Sequence, residues 1–232
     1  MDAGLEMLEQ GGPEGLKARA LSAAAGASTM AVYTHFGGMA GLYEALTLEA
    51  FVRFDRRLAQ APVTDDPVAD IFTLGLAYRD YALAHPQRYR LMFGATAPGA
   101  GTPVGHDLTA EGTPALRPEV NAPFDRLSER VRRAMAAGRM RRGDPVAAAG
   151  QVWSMVHGYV LLEITGWFGY EGRGVFDVLA PHAVNLVVGL GDDRAATESS
   201  LVAAAPDPAG LRTPPRPVPP ARASPGRRRR NR

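Results

Sequence analysis

Apolar residues recur along this chain at steps of three and four, and strict alternation is rare. That period belongs to amphipathic helices rather than strands. Leu5 and Leu8 share a face within residues 2–10, before Gly11-Gly12-Pro13 breaks the run. Two short helices are predicted over 17–24 and 28–36. From 39 to about 60, Leu42, Ala45, Leu46, Glu49, Ala50 and Arg53 fall at helical spacing, and Ala61-Pro62 closes the segment. Ile71, Leu74, Ala77, Tyr78 and Tyr81 repeat the pattern over 67–84. His85-Pro86 marks a break, because a residue before proline avoids the helical region. Pro86 then opens a helix through Tyr89, Met92 and Phe93. Residues 94–118 are rich in Gly, Pro, Thr and Ala and read as a loop, long enough to be functional or disordered. Helix returns over 120–137, closed by Gly138, and from Asp144-Pro145 to about 168. Residues 174–190 form a last helix that Pro181 should kink or split. The chain reads as all-α, with no internal repeat.

The sharpest local signal lies between Leu21 and Phe36. Gly26 can take the left-handed conformation that stops one helix, and Ser28 can accept a hydrogen bond as the N-cap of the next. Two helices joined by the tight turn Ala25-Gly26-Ala27 make a helix-turn-helix, whose second helix lies in a DNA major groove. Ser28, Thr29, Met30 and Ala31 would meet base edges, Thr29 through its hydroxyl and Met30 and Ala31 against thymine methyls. Tyr33, Thr34 and His35 lie further along and would hold phosphates, which sets register rather than sequence preference. Val32 and Phe36 should face inward onto Leu21 and Leu42.

The run Ala25-Gly26-Ala27-Ser28-x-x-x-Val32-Tyr33-x-His35-Phe36, then Gly37-Gly38 and Leu42, resembles the TetR family of bacterial repressors. The later segment Trp153-Ser154-Met155-Val156-His157-Gly158 resembles the Trp…His-Gly mark of one branch of that family. The resemblance implies a three-helix DNA-binding domain over 1–38, a helical ligand-binding and dimerisation domain over 39–191, and phosphate contacts from Tyr33 and His35. Three departures stand out. No residue from Ala20 to Tyr43 carries a formal charge, Met39 stands where the family often has lysine, and Lys17 stands where Ser or Thr usually caps the second helix. Lys17 loses that cap but offers a charge to DNA. The segment before the first helix is also shorter than the family's, an expectation of a misplaced start or a truncation.

Trp153, Val156, His157, Val160 and Leu161 fall on one helix face, and Gly158 would let a neighbouring helix approach. One reading makes Trp153 and His157 packing residues, with His157 bonded to a buried acceptor. The other makes them walls of a ligand cavity. The resemblance implies such a pocket for an unknown small-molecule effector, with Tyr78, Tyr81, Tyr89, Met92, Phe93, Trp153, His157 and Leu161 as candidates. Phe176, Leu179, Ala183, Leu186, Val187 and Leu190 form an apolar stripe suited to a homodimer interface across a two-fold axis. A dimer would offer two recognition helices about 34–36 Å apart to a palindromic site in double-stranded DNA.

Among 232 residues, 46% hydrophobic, no run approaches the length needed to span a bilayer. The N-terminus lacks a basic segment followed by an apolar one. Both features predict a cytoplasmic protein with no membrane partner. The chain has no cysteine, which excludes disulfides and thiolate chemistry. The net charge of +2 conceals an asymmetry: residues 209–232 hold eight arginines and no acid, so the remainder is acidic. Residues 192–232 are expected to be a disordered, Pro- and Arg-rich tail, free to add salt-dependent affinity for phosphates. The five histidines show no metal-ligand spacing, Gly94–Gly101 lacks the Gly-Lys-Ser/Thr of a phosphate loop, and no Gly-x-Ser-x-Gly elbow occurs. No enzyme, cofactor or metal site is therefore expected. A ligand-responsive regulator is the first reading. A helical ligand-binding or interaction protein with degenerate, nonspecific DNA binding is the second.

Overall fold

The computed structural model describes residues 1–94, 106–169 and 171–205, and helices are the only regular elements among them. The head comprises α1 (Asp2–Gly15), α2 (Ala18–Ala24) and α3 (Thr29–Phe36). Its core is Leu5, Leu8, Leu21 and Val32, with Leu42 and Leu46 from α4 (Met39–Leu58). Phe36 is half-buried against the same core. Gly11-Gly12-Pro13 breaks α1 as the sequence predicts, with two helical pieces joined across a kink. Gly12 turns to φ +62°, and Pro13 begins one further turn. Tyr43 Oη donates to the Pro13 carbonyl at 2.9 Å, fixing that kink to α4.

The body contains α5 (Pro67–Ala84), α6 (Pro86–Met92), α7 (Leu108–Glu111), α8 (Pro118–Ala136) and α9 (Pro145–Ile164). Asp66 and Asp144 cap α5 and α9 by accepting first-turn amides, as short carboxylates at this position do. α4, α5, α8 and α9 pack around a shared apolar core. α7 falls in the segment read as loop, held by an Asp107 cap; four residues are too few to display a helical period. Part of that predicted loop, residues 95–105, lies outside the described residues.

A π-helical turn, Val175–Leu179, leads into α10 (Ala180–Gly189). Pro181 thus sits just past a widened turn, which accommodates its missing amide without splitting the helix. α11 (Arg194–Ala204) corrects the tail boundary at 192. Asp193 caps it, and Arg139 forks onto Asp192 at 2.7 and 2.8 Å. Ser200 Oγ donates to Asp66 at 2.6 Å, and Thr197 Oγ1 to Asp192 at 2.7 Å. These satisfied buried polar groups hold α11 on α5 with little help from large apolar side chains. Residues 206–232 lie outside the described residues.

Between α5 and α9, Arg79 donates from Nε and Nη2 to the two oxygens of Glu163 at 2.8 and 2.7 Å. Both side chains are 1% exposed. This planar fork is the strong geometry for a guanidinium and a carboxylate.

Candidate nucleic-acid interface and ligand cavity

Gly26 takes φ +62° between α2 and α3, the left-handed stop read from the sequence. Ser28 Oγ accepts from the Ala31 amide at 3.3 Å, the expected N-cap. Ser28, Thr29, Met30, Tyr33, Thr34, His35 and Lys17 are all exposed, Met30 at 70% and Tyr33 at 55%. Ala31 is half-buried. The Thr34 hydroxyl donates back to the Met30 carbonyl at 3.0 Å. Ala31 and His35, one turn apart, border an apolar hollow of about 190 Å³ with Met1, Gly4 and Leu21, so they flank the outward face instead of centring it. Lys17 precedes α2 with no side-chain cap.

Two glycines position this helix, and only one lies in the segment singled out from sequence. Gly38 at φ +111° lets the chain reverse between α3 and α4, with the Tyr33 ring over it at 3.7 Å from a would-be Cβ. Tyr33 and the uncapped N-terminus of α4 therefore lie side by side, and such a terminus favours a phosphate. Gly41 is the residue that sequence reading missed. A Cβ there would stand 1.8 Å from the Phe36 carbonyl oxygen. The backbones of α3 and α4 meet at that point, and a lone helix glycine gives no periodic signal of it. Within residues 1–46, Asp2, Glu6, Glu9, Glu14 and Glu44 outnumber Lys17 and Arg19, so non-ionic contacts carry much of what this head can offer DNA.

In the body, a cavity of about 200 Å³ lies among α4, α5, α6, α8 and α9. Tyr78, Phe93 and Trp153 from the candidate set line it, together with Phe51, Phe124 and Leu127. Tyr89 and His157 stand behind Tyr78. His157 Nδ1 lies 2.6 Å from Tyr89 Oη and 3.0 Å from Tyr78 Oη, while the two hydroxyls are 2.7 Å apart. Trp153 Nε1 donates to Tyr78 Oη at 3.2 Å. One proton arrangement satisfies the whole chain: Trp153 to Tyr78, Tyr78 to Tyr89, Tyr89 to a neutral His157. Burial lowers the His157 pKa below its ordinary 6.5 and raises the Tyr78 and Tyr89 phenols, so all three stay uncharged near neutrality. The face divides between the two readings, with Trp153 on a cavity wall and His157 a bonded interior residue.

This network predicts a pH effect. The unfolded chain takes up a proton on His157 near pH 6.5 before the native state does, so His157 costs stability as pH falls through that value. His157→Phe should flatten that part of the pH–Tm curve between pH 7.5 and 5.5. An unchanged curve would place the acid sensitivity elsewhere.

Besides Tyr89 and His157, three further candidates lie off the cavity wall. Tyr81 Oη donates to the Ala50 carbonyl at 3.1 Å and packs on Phe54. Met92 is fully buried, and Leu161, one turn beyond His157, is half-buried in the core. Half of the dimer stripe needs a correction, while Phe176 is 45% exposed and stays open to a partner. Leu179, Ala183 and Val187 are buried in the chain's own core. Together with Phe176 and Leu186 they line a second apolar cavity of about 340 Å³ among α5, α9, α10 and α11. Leu190 is half-buried. Periodicity identified a buried face but could not name what buries it, and α11 had been assigned to the tail.

One link joins body to head. Glu9 of α1 accepts from the amides of Gln87 and Arg88 in the first turn of α6, at 3.1 and 3.4 Å. Burial raises its pKa, and those two amides oppose the rise.

A capped, outward-facing second helix in a three-helix head, carried by a long helix into a helical body, defines a helix-turn-helix DNA-binding protein. The family model described as bacterial regulatory proteins of the tetR family matches residues 1–46, and that of the tetracyclin repressor-like C-terminal domain matches residues 71–185. The chain belongs to the TetR family of transcription regulators. The fold is similar to a protein of unknown function from Rhodococcus sp. RHA1, with TM-score 0.64, 28% identity, and coverage of 82% of this chain and 93% of that one. It also resembles a possible TetR family transcriptional regulator from Streptomyces coelicolor A3(2), with TM-score 0.50, 21% identity, and coverage of 88% and 93%. RolR, solved without ligand, aligns at TM-score 0.59 and 14% identity over 86% and 93%. At 21% and 14% identity these last two share the fold. No curated protein of similar sequence matches this chain. No helix among the described residues is long and apolar enough to cross a membrane.

Proposed function

We propose that this chain is a ligand-responsive transcriptional repressor, cytoplasmic and without catalytic activity, that binds a palindromic operator as a homodimer. The supporting observation is the polar path from cavity to head. Tyr78, on the cavity wall, bonds Tyr89 of α6, and α6 presents its first-turn amides to Glu9 of α1. A small molecule in the cavity presses on Tyr78 and Trp153, shifts α6, and pulls α1 with it. Only a ligand with different affinity for the two positions of α6 can drive this.

On DNA, Ser28, Thr29, Met30 and Ala31 read base edges. Tyr33, Thr34, His35 and Lys17 hold phosphates beside the N-terminus of α4. Selection of bound DNA from a random pool tests the assignment. Tyr33→Ala should weaken all selected sequences about equally, whereas Thr29→Ala should change which sequences win. If neither substitution has an effect, the site is elsewhere. The acidic head favours the second reading, a degenerate form without sequence preference. That form would retard every DNA equally.

The homodimer is assigned to the outward faces of α9 and α10. Leu162 and Trp167 are 46% and 78% exposed, and Val178, Pro181, His182 and Asn185 are exposed at helical spacing. A Cβ on Gly158 would meet nothing within 4 Å, leaving room for a partner helix. Leu162→Arg should give a monomer by sedimentation and weaken operator binding at least tenfold; a dimer surviving it would relocate the interface.

Removing the Glu9 carboxylate tests the link. Glu9→Ala should cost about 1–2 kcal/mol, the scale of a lost helix cap. It should also speed hydrogen exchange at the Gln87 and Arg88 amides. Unchanged exchange at both would break the proposed path.

A further inference from the structure

We infer that the two body cavities are arms of one site, meeting at Gly75, and that it takes an uncharged amphiphile with a thin apolar chain. This deepens the effector reading above and rests on it. The two cavities share four wall residues: Ile71 and Gly75, one turn apart on α5, and Val152 and Val156, one turn apart on α9. Three of those positions carry β-branched side chains, and the fourth carries none. Glycine weakens a helix interior relative to alanine, so Gly75 asks for a reason. Its backbone is not left-handed. A Cβ there would meet no heavy atom within 4 Å, so close packing does not demand it either. What the missing side chain leaves is a gap in the seam that divides the cavities.

The arms differ in chemistry. Among the described residues, Tyr78 and Trp153 carry the only polar side chains on the first arm's wall. The second has no polar side chain on its wall among the described residues. Among the described residues no Lys, Arg or His lines either arm, so a carboxylate or phosphate would meet no cation among them. A neutral head that donates a hydrogen bond to Tyr78 Oη, whose own proton is engaged with Tyr89 as the Trp153 N–H is with Tyr78, sits in the first arm, and its chain passes Gly75 into the arm bounded by Phe72, Leu179 and Val187. The first arm alone, at about 200 Å³, is smaller than most ligand sites, whereas the joined arms reach that range.

The test is calorimetric titration of the full chain, without DNA, with unbranched 1-alkanols from hexanol to tetradecanol. Affinity for the wild type should rise about fourfold per methylene across the series until the second arm is full. In Gly75→Leu the rise should stop at the short alcohols, leaving hexanol within threefold of wild type and dodecanol weaker by 100-fold or more. Ala180→Phe, which fills the second arm from α10 and leaves the seam intact, should give the same ceiling and decides the matter if Gly75→Leu does not fold. The inference is overturned if chain-length profiles match in wild type and variants, or if no alkanol binds the wild type. Because DNA is absent, alkanols that bind with this profile yet never release operator count against the effector reading and not against the joined site.

Discussion

Replacing Gly41 with alanine should abolish specific DNA recognition while the body stays folded. The new Cβ would stand 1.8 Å from the Phe36 carbonyl oxygen and 2.9 Å from its carbon. Both are backbone atoms, so no side-chain rotation relieves the clash. Either α4 moves away from α3, or the Phe36–Gly38 connection unwinds. Overpacking of this kind costs about 1–3 kcal/mol. The larger loss is geometric, because the proposed DNA contact aims α3 through its junction with α4. Two lost base contacts at about 1–3 kcal/mol each would lower operator affinity by roughly 30-fold to more than 1,000-fold. Fluorescence anisotropy on a selected operator measures it. Gly150→Ala provides the contrast: its Cβ would meet only the Leu108 side chain at an ordinary 3.6 Å. There the same change should stabilise α9 by about 0.5–1 kcal/mol and leave DNA binding intact. Equal operator affinity for Gly41→Ala and wild type would mean that the junction does not hold the recognition helix.

The second large effect is expected at the Arg79–Glu163 fork. Glu163→Ala leaves a guanidinium buried at 1% exposure without its bidentate partner. Breaking a buried pair from one side costs about 3–5 kcal/mol. That is a large share of a domain's typical 5–15 kcal/mol, and corresponds to a Tm lower by roughly 6–20 °C at this chain length. Removing both charges with Arg79→Met and Glu163→Leu should recover most of the loss, because the desolvation of both ions disappears together. Chemical denaturation of the two singles and the double measures the coupling. A Glu163→Ala variant within 1 kcal/mol of wild type would show that the pair contributes little beyond filling space.

Most of the helices, the cap at Ser28, the start at Asp144 and the turn at Gly26 were legible because each follows from local chemistry and the 3.6-residue period. The exposed face of α3 was legible for the same reason: Val32 and Phe36 had to turn inward. What periodicity cannot supply is the partner of a buried face. The stripe through Leu179, Ala183 and Val187 was visible, yet its cover is α11, whose contacts run through Thr197, Ser200 and Asp192 rather than a row of leucines. Asp193 followed by a Pro-free run to Ala204 was the available signal, a cap and a permissive helix without a hydrophobic stripe. The fork of Arg79 on Glu163 spans 84 positions, and the meeting of Gly41 with Phe36 depends on backbone curvature. Neither distance is written in local spacing.

The tether from Tyr43 to the kink in α1 has a mechanical consequence. With Arg53 bonded to Asp2 nearer the start of α1, α1 is fastened to α4 at two points, so the head turns with α4 as one arm. Twenty residues of helix make that arm about 30 Å long. A tilt of about 5° at its body end would sweep the tip through about 2.6 Å over that length. Two such arms swinging apart would change their separation by about 5 Å against a half-site spacing of about 34 Å. In the proposed dimer a small tilt of α4 would thus be geared up into a mismatch that the double helix cannot stretch to meet.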